Sequence, residues 1–93
     1  MAEAFVARLA LGQIVITANA ASVLRSPEVA LALRRHAAKD WGHLAPEDWT
    51  ANDMAVKEGT RVLSSYQTEE GVTFWIITEA DRSVTTLMLP EDY

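Results

Sequence analysis

The chain has 93 residues, of which 49% are apolar and 23% charged. This length and composition suit one folded domain over residues 1–93 and disfavour both a disordered chain and two domains. Thirteen acidic residues against eight basic ones give a net charge of −5. Direct binding to nucleic acid, which needs clustered Lys and Arg, is therefore not expected. The acidic balance is compatible with a basic protein partner or with solubility alone.

The chain contains no cysteine, which excludes disulfides and thiolate metal sites and favours a reducing compartment. The longest apolar stretch, residues 9–21, is interrupted by polar residues and falls short of the ~20 residues that a membrane span needs. Glu3 and Arg8 argue against a signal peptide. We therefore expect a cytoplasmic protein with no membrane association.

The first elements in chain order are a strand and two helices. Residues 11–17 are rich in β-branched side chains and predict a strand, and Thr17 or Asn19 is a candidate cap for a short helix that follows. Ser26-Pro27-Glu28 is typical of a helix start, with Ser26 as N-cap, and this helix should continue to about Lys39.

A turn and a third helix follow. Gly42 is the position for a positive φ angle in the turn, and the helix should run from about Pro46 to Gly59. Its expected apolar positions are Trp49, Met54, Ala55 and Val56, and its expected water-facing positions are Asp48, Asn52, Asp53 and Lys57.

Three further runs, 61–66, 72–79 and 84–89, are separated only by short polar turns and predict an antiparallel meander. We therefore predict a small α+β domain in which an N-terminal strand and helices pack on a C-terminal three-stranded antiparallel meander. The first strand is expected at an edge of the sheet beside the last one.

The middle run of the meander is apolar on both faces. Phe74 and Ile76 should point one way and Trp75 and Ile77 the other. Because the helices cover one face, we predict that Trp75 and Ile77 contribute to a surface for a partner or for self-association.

Two segments carry a resemblance to known proteins: Arg35-His-Ala-Ala-Lys-Asp-Trp-Gly42, and Trp75-Ile-Ile-Thr-Glu-Ala-Asp-Arg-Ser-Val-Thr-Thr86 followed by Leu89-Pro-Glu-Asp-Tyr93. Over roughly residues 30 to 93 the chain resembles a family of short proteins carried by bacterial plasmids, integrative elements and phages. Some members carry the label of type I restriction enzyme subunit. The resemblance implies a mobile-element setting, in which small acidic proteins often inhibit host defence.

The restriction label does not fit the residues. An adenine methyltransferase needs a cofactor-binding α/β domain and an Asn/Asp-Pro-Pro-aromatic loop. The prolines here, Pro27, Pro46 and Pro90, are all isolated, and the chain is too short for such a domain.

Two polar groups are candidate chemical sites. His36, Asp40 and His43, with Glu47 or Asp48, have ligand types suited to a metal, but His36 lies where a helix ends, and we predict no metal site and no cofactor. In an enzyme, one carboxylate of Glu79 and Asp81 would be a general base and Arg82 an anion clamp. The simpler interpretation is that Asp81 is a turn former and that Arg82 either pairs locally or lies in solvent. No catalytic motif accompanies them, so we predict no enzymatic activity.

The functional expectation is a non-enzymatic interaction protein. One form of it is an inhibitor that binds the basic nucleic-acid-binding surface of a host nuclease or CRISPR-type defence complex, and the alternative is a homodimeric accessory module. The predicted partner-binding residues are Trp75, Ile77, Glu79, Asp81, Arg82, Glu47, Asp48 and Asp53.

Overall fold

Four strands form one sheet in the part of the chain that the computed structural model describes, residues 8–93. Glu3, used above against a signal peptide, lies outside these residues. The strands are β1 (Gln13–Ile16), β2 (Val62–Gln67), β3 (Thr73–Thr78) and β4 (Val84–Met88), and their order in the sheet is β1-β4-β3-β2.

The sheet is mixed. β2, β3 and β4 pair antiparallel, whereas β1 joins β4 in parallel, with Gln13 opposite Val84 and Ile16 opposite Leu87. The connection from β1 to β4 runs through the helices, β2 and β3, and is long enough for the crossover that a parallel pair needs. The prediction of a small α+β domain is confirmed. The predicted antiparallel meander describes only part of the sheet, because β1 adds a parallel edge beside β4.

Helices α1 (Ala18–Val23), α2 (Ser26–Ala37) and α3 (Pro46–Glu58) are the α-helices of the described residues, and a 3₁₀ turn, Pro90–Asp92, ends the chain. Thr17 caps α1, its hydroxyl accepting the Ala20 N–H at 3.1 Å. The predicted cap of α2 is wrong, since Arg25 rather than Ser26 occupies the N-cap. This shift places Glu28 at N3, from which its carboxylate accepts the Arg25 N–H at 3.3 Å.

The C-terminus of α2 is closed by a Schellman motif without glycine. Lys39 adopts a left-handed conformation, with φ of 68°. Its N–H donates to the His36 carbonyl at 3.0 Å, and the Asp40 N–H donates to the Arg35 carbonyl at 2.8 Å. These bonds satisfy carbonyls that the end of a helix would otherwise leave unpaired.

The helices cover one face of the sheet. Phe74 and Ile76 of β3 and Leu87 of β4 are buried there against Ala20 of α1 and Ala32 of α2. This confirms the predicted direction of Phe74 and Ile76. A second buried cluster consists of Leu9, Trp41, Ala55 and Val62 and joins α3 to the sheet.

The inward face of α3 differs from the prediction at two positions. Asn52 is 7% exposed and Met54 is 47% exposed, the reverse of what was expected. The reason is the phase of the helix: Trp49, Asn52 and Val56 follow one another in steps of three and four residues, so they share the inward stripe.

Within residues 8–93, no helix has both the length and the apolar character to cross a bilayer.

Candidate interaction surface

The outer edge of β2 is closed at Ser65 by the turn between α2 and α3. The Ser65 N–H donates to the Trp41 carbonyl at 3.2 Å, and the His43 N–H donates to the Ser65 carbonyl at 2.7 Å. Gly42 makes this approach possible, because it has φ of 77° and a Cβ there would lie 2.0 Å from the Ser65 oxygen. The predicted positive φ at Gly42 is thus confirmed.

A side chain closes the same edge one step further along β2. The Asn52 Nδ2 donates to the Leu63 carbonyl at 2.6 Å, and the Leu63 N–H donates to the Asn52 Oδ1 at 3.3 Å. The carboxamide therefore makes the pair of bonds that a neighbouring strand would make. Leu63 and Ser65 both have their outward backbone groups satisfied, so this edge is protected from pairing with another chain.

Within residues 8–93, the opposite edge, β1, is open. Gln13 and Thr17 donate their N–H groups to carbonyls on the β4 side at 2.9 and 3.0 Å. Backbone groups alternate sides along a strand, so those of Ile14 and Ile16 point away from β4. Among residues 8–93, no group pairs with the outward N–H and C=O of Ile14 and Ile16.

The side chains of β1 are apolar and accessible. Ile14, Val15 and Ile16 are 42%, 36% and 40% exposed. No residue from 9 to 24 is charged, although the whole chain has a net charge of −5. Natural edge strands are usually guarded by charges, prolines or bulges. An uncharged apolar edge with unpaired backbone groups is a surface suited to accepting another strand.

The C-terminal turn lies next to β1 and α1. The Asp92 carboxylate accepts the Thr17 hydroxyl and the Asn19 amide, each at 2.7 Å, and the Leu89 N–H at 3.0 Å. The Thr17 bond is the main cause of a lowered pKa of Asp92. These contacts fix the position from which Tyr93 extends over the sheet face that carries no helices, called here the open face.

Tyr93 lies over the part of the open face that was expected to bind a partner. Its ring meets the Trp75 ring edge to face, with centroids 5.8 Å apart. The Arg61 guanidinium lies 5.5 Å from the same ring centroid. Tyr93 therefore contacts both Trp75 and Arg61. Ile77 is 1% exposed and Trp75 is half-buried, so Ile77 is not available to a partner and Trp75 only in part.

Glu79 and Asp81 lie at the hairpin between β3 and β4, and both are exposed. The Asp81 Oδ1 accepts the Ser83 hydroxyl at 2.6 Å and the Ser83 N–H at 3.0 Å, and these bonds lower the pKa of Asp81. Asp81 therefore stabilises the turn, in agreement with its interpretation as a turn former.

Arg82 ties this hairpin to the end of α3. It has a left-handed backbone, with φ of 62°. Its guanidinium donates to the Thr60 carbonyl at 2.7 Å and to the Ala55 carbonyl at 3.2 Å. A cation on the last carbonyls of a helix is stabilising. Arg82 thus pairs within its own chain.

The predicted acidic residues of α3 are exposed. Glu47 and Asp48 occupy the first turn, where the helix dipole favours negative charge. Asp53 accepts the Trp41 indole N–H at 3.0 Å. α3 packs against β2, which is at the other end of the sheet order from β1, while Ala55 in its last turn also packs in one cluster with Leu9.

A chain of hydrogen-bonded side chains crosses the core. His36 Nδ1 contacts the Ser64 hydroxyl, and His36 Nε2 lies 2.8 Å from Thr78 Oγ1. Thr78 Oγ1 lies 2.7 Å from Thr85 Oγ1, which in turn donates to the Leu11 carbonyl at 2.7 Å. The four side chains are 0% exposed. We call this set the core polar chain.

The Leu11 carbonyl sets the direction of the bonds from Thr85 to His36 Nε2 in the core polar chain. A carbonyl can only accept, so Thr85 donates to it and accepts from Thr78. Thr78 then accepts from His36 Nε2–H. Burial, with a smaller contribution from Arg82, lowers the pKa of His36 to about 4, so the ring is neutral at about pH 7. In this neutral Nε2–H tautomer, Nδ1 accepts from Ser64.

The Ser64–His36 pair has the bonding of an activated nucleophile but lacks access. A serine that donates to an imidazole is the arrangement that nucleophilic catalysis uses. Both residues are 0% exposed, and a substrate cannot reach them. Sequence analysis missed this pair; the available signal was that Ser64 lies at an inward position between Val62 and Tyr66 of β2.

The residues weighed as metal ligands are not brought together. Both His36 nitrogens are engaged in the core. Asp40 accepts the Arg35 Nε at 2.8 Å, the main cause of its lowered pKa, and His43 is exposed. No group of three His, Asp or Glu residues suited to a metal ion occurs in residues 8–93.

A cleft of about 350 Å³ lies between α2 and the β2–β3 hairpin. Its floor includes Tyr66 and Phe74, and Leu31 at its side is 51% exposed. Its two arginines are engaged in ion pairs, Arg25 with Glu70 at 3.3 Å and Arg35 with Asp40 at 2.8 Å. Both arginines therefore already form ion pairs within the chain.

Comparison with family models, curated proteins and solved structures gives no match to this chain.

Proposed function

We propose that this protein acts without catalysis, by binding another protein chain along the outer edge of β1. The observation that carries the proposal is the contrast between the two sheet edges of the described residues. At β2 the backbone groups of Leu63 and Ser65 are closed, and at β1 those of Ile14 and Ile16 are open. Strand addition uses such groups, because main-chain hydrogen bonds give affinity and alternate side chains give specificity.

The chemistry of the polar residues supports a binding role. Ser64 and His36 are fully buried, and Asp81 and Arg82 stabilise a turn and a helix end. The residues with catalytic potential therefore have structural partners that account for them.

The resemblance to mobile-element proteins and the net charge of −5 support a more specific form of the proposal. In this form the protein inhibits a host nuclease or a CRISPR-type defence complex in the cytoplasm. The exposed acids of α3, Glu47 and Asp48, would meet a basic nucleic-acid-binding surface, as complementary charge speeds and orients association. The alternative is a homodimeric accessory module, which the open apolar edge of β1 also supports.

The test uses two matched lysine substitutions. Ile14→Lys places a charge on the open edge, and Leu31→Lys changes a residue of similar exposure, 51% against 42%, on α2, away from the acids of α3. Tagged proteins are used to capture purified defence complexes, and phage plaque and conjugation assays measure inhibition. We expect Ile14→Lys to abolish capture and inhibition and Leu31→Lys to retain both. Equal behaviour of the two variants, with folding verified by circular dichroism, would contradict the role of β1.

A further inference from the structure

We infer that the chain bound at the β1 edge is β1 of a second copy, in an antiparallel pair centred on Val15. This inference rests on the proposed function and names its partner. The pair would join two sheets into one across a twofold axis, with the same residues contributed by both copies.

The backbone favours this register over its neighbours. A twofold axis at Val15 places Ile14 opposite Ile16 of the other copy, and Ile16 opposite its Ile14. Both residues point their N–H and C=O outward, so each of the two pairs exchanges two hydrogen bonds. An axis at Ile14 would instead set Ile16 against Gly12, whose φ of 63° is not extended. A register shifted by one residue would place the outward N–H and C=O groups of one strand opposite residues of the other strand whose backbone groups point inward.

The side chains match in the same register. Ile14 and Ile16 lie beside Thr85 and Leu87 on the helix-covered face, so four isoleucines from two copies would meet there. An apolar cleft of about 400 Å³, lined by Ile16 and by Val29 of α2, adjoins them. Val15 would face Val15 of the other copy on the open face. These contacts would cover side chains that are now 36–42% exposed.

The distribution of charge favours a second copy over a basic partner at this edge. Two copies with a net charge of −5 repel each other, but residues 9–24 are uncharged, so β1 itself adds nothing to this repulsion. The acid next to β1, Asp92, has its carboxylate bonded to Thr17, Asn19 and the Leu89 N–H. A basic partner would find more complementary charge on α3, where Glu47 and Asp48 are exposed.

Single cysteines test the register, because the chain has none of its own. Val15→Cys would place two thiols across a non-hydrogen-bonded pair, with Cα atoms about 4.5 Å apart, within the range for a disulfide. Gln13→Cys lies on the same strand and face, yet its symmetry mate would be four residues away, about 14 Å along the strand. Under mild oxidation we expect at least a tenfold faster cross-link for Val15→Cys.

Light scattering on the intact chain tests the dimer itself. We expect the mass to rise from 10.2 kDa towards twice that value with concentration, and Ile14→Lys but not Leu31→Lys to remain monomeric. A wild-type monomer at about 1 mM, a dimer that survives Ile14→Lys, or equal cross-linking at positions 13 and 15 would overturn the inference. If the wild type is monomeric and Ile14→Lys still abolishes capture of a defence complex, the proposed function holds and only the second copy is rejected.

Discussion

Mild acid should destabilise this protein through His36. The imidazole is fully buried, and protonation would add a charge to the core and place a donor at Nδ1, where Ser64 now donates. The folded state therefore resists a proton that the unfolded chain accepts readily. A histidine whose pKa is lowered by folding contributes stability above its unfolded pKa, and this contribution is lost as the pH falls towards the folded pKa.

The folded and unfolded pKa values of His36 set the size of this loss in stability. The pKa of His36 is about 4 in the folded state, against an ordinary value of 6.5. Each pKa unit corresponds to about 1.4 kcal/mol, so acidification from about pH 7 to about pH 4.5 should remove about 2–3 kcal/mol of unfolding free energy. Asp40, Asp81 and Asp92 have lowered pKa values, so their contributions are lost at more acidic pH.

Urea unfolding across this pH range provides the assay, with His36→Gln as the control that does not titrate. The variant should be less stable at neutral pH by about 1–3 kcal/mol, since a buried hydroxyl loses part of its bonding. Its stability should then fall by about 2 kcal/mol less than that of the wild type on acidification. Parallel pH profiles for the two proteins would refute the assignment of His36 as a buried neutral group.

Three substitutions test the loops and the closed edge. Gly42→Ala should lower the unfolding free energy by more than about 3 kcal/mol, since its Cβ would meet the Ser65 oxygen; an unchanged urea midpoint would argue against this close approach. Lys39→Gly should raise the unfolding free energy by about 0.5–1 kcal/mol, because the φ of 68° at this position suits glycine. A lower melting temperature of this variant would exclude the left-handed cap. Asn52→Ala should lower the unfolding free energy by about 2–3 kcal/mol and speed amide exchange at Leu63, and slow exchange there would show that another group closes the edge.

Local signals in the sequence predicted the elements well. Thr17 caps α1, Pro46 starts α3 and Gly59 ends it in a left-handed conformation, each for a reason that acts within a few residues. The alternation along β3 likewise predicted which face Phe74 and Ile76 occupy. Such features need no knowledge of distant contacts.

The features that position the interaction surface depend on distant residues. Asn52 closes β2 only because α3 is rotated to face it, and a polar residue on a helix gives no sign of such a partner. Tyr93 contacts Trp75 although 18 positions separate them, so the sequence predicted a more accessible Trp75 than the structure has. From the sequence alone, Ser64 and Thr78 have the polar character of solvent-facing strand positions. Only the fold shows that both contact the buried His36.

Amide hydrogen exchange at Ile14 and Ile16, measured by NMR over a range of protein concentrations, tests the open edge of β1 most directly. In dilute protein these two amides should exchange fast while Leu63 and Ser65 stay protected, and their protection should rise with concentration as the β1 strands pair. Protection equal to that of Leu63 in dilute protein, or fast exchange at every concentration up to about 1 mM, would contradict the account.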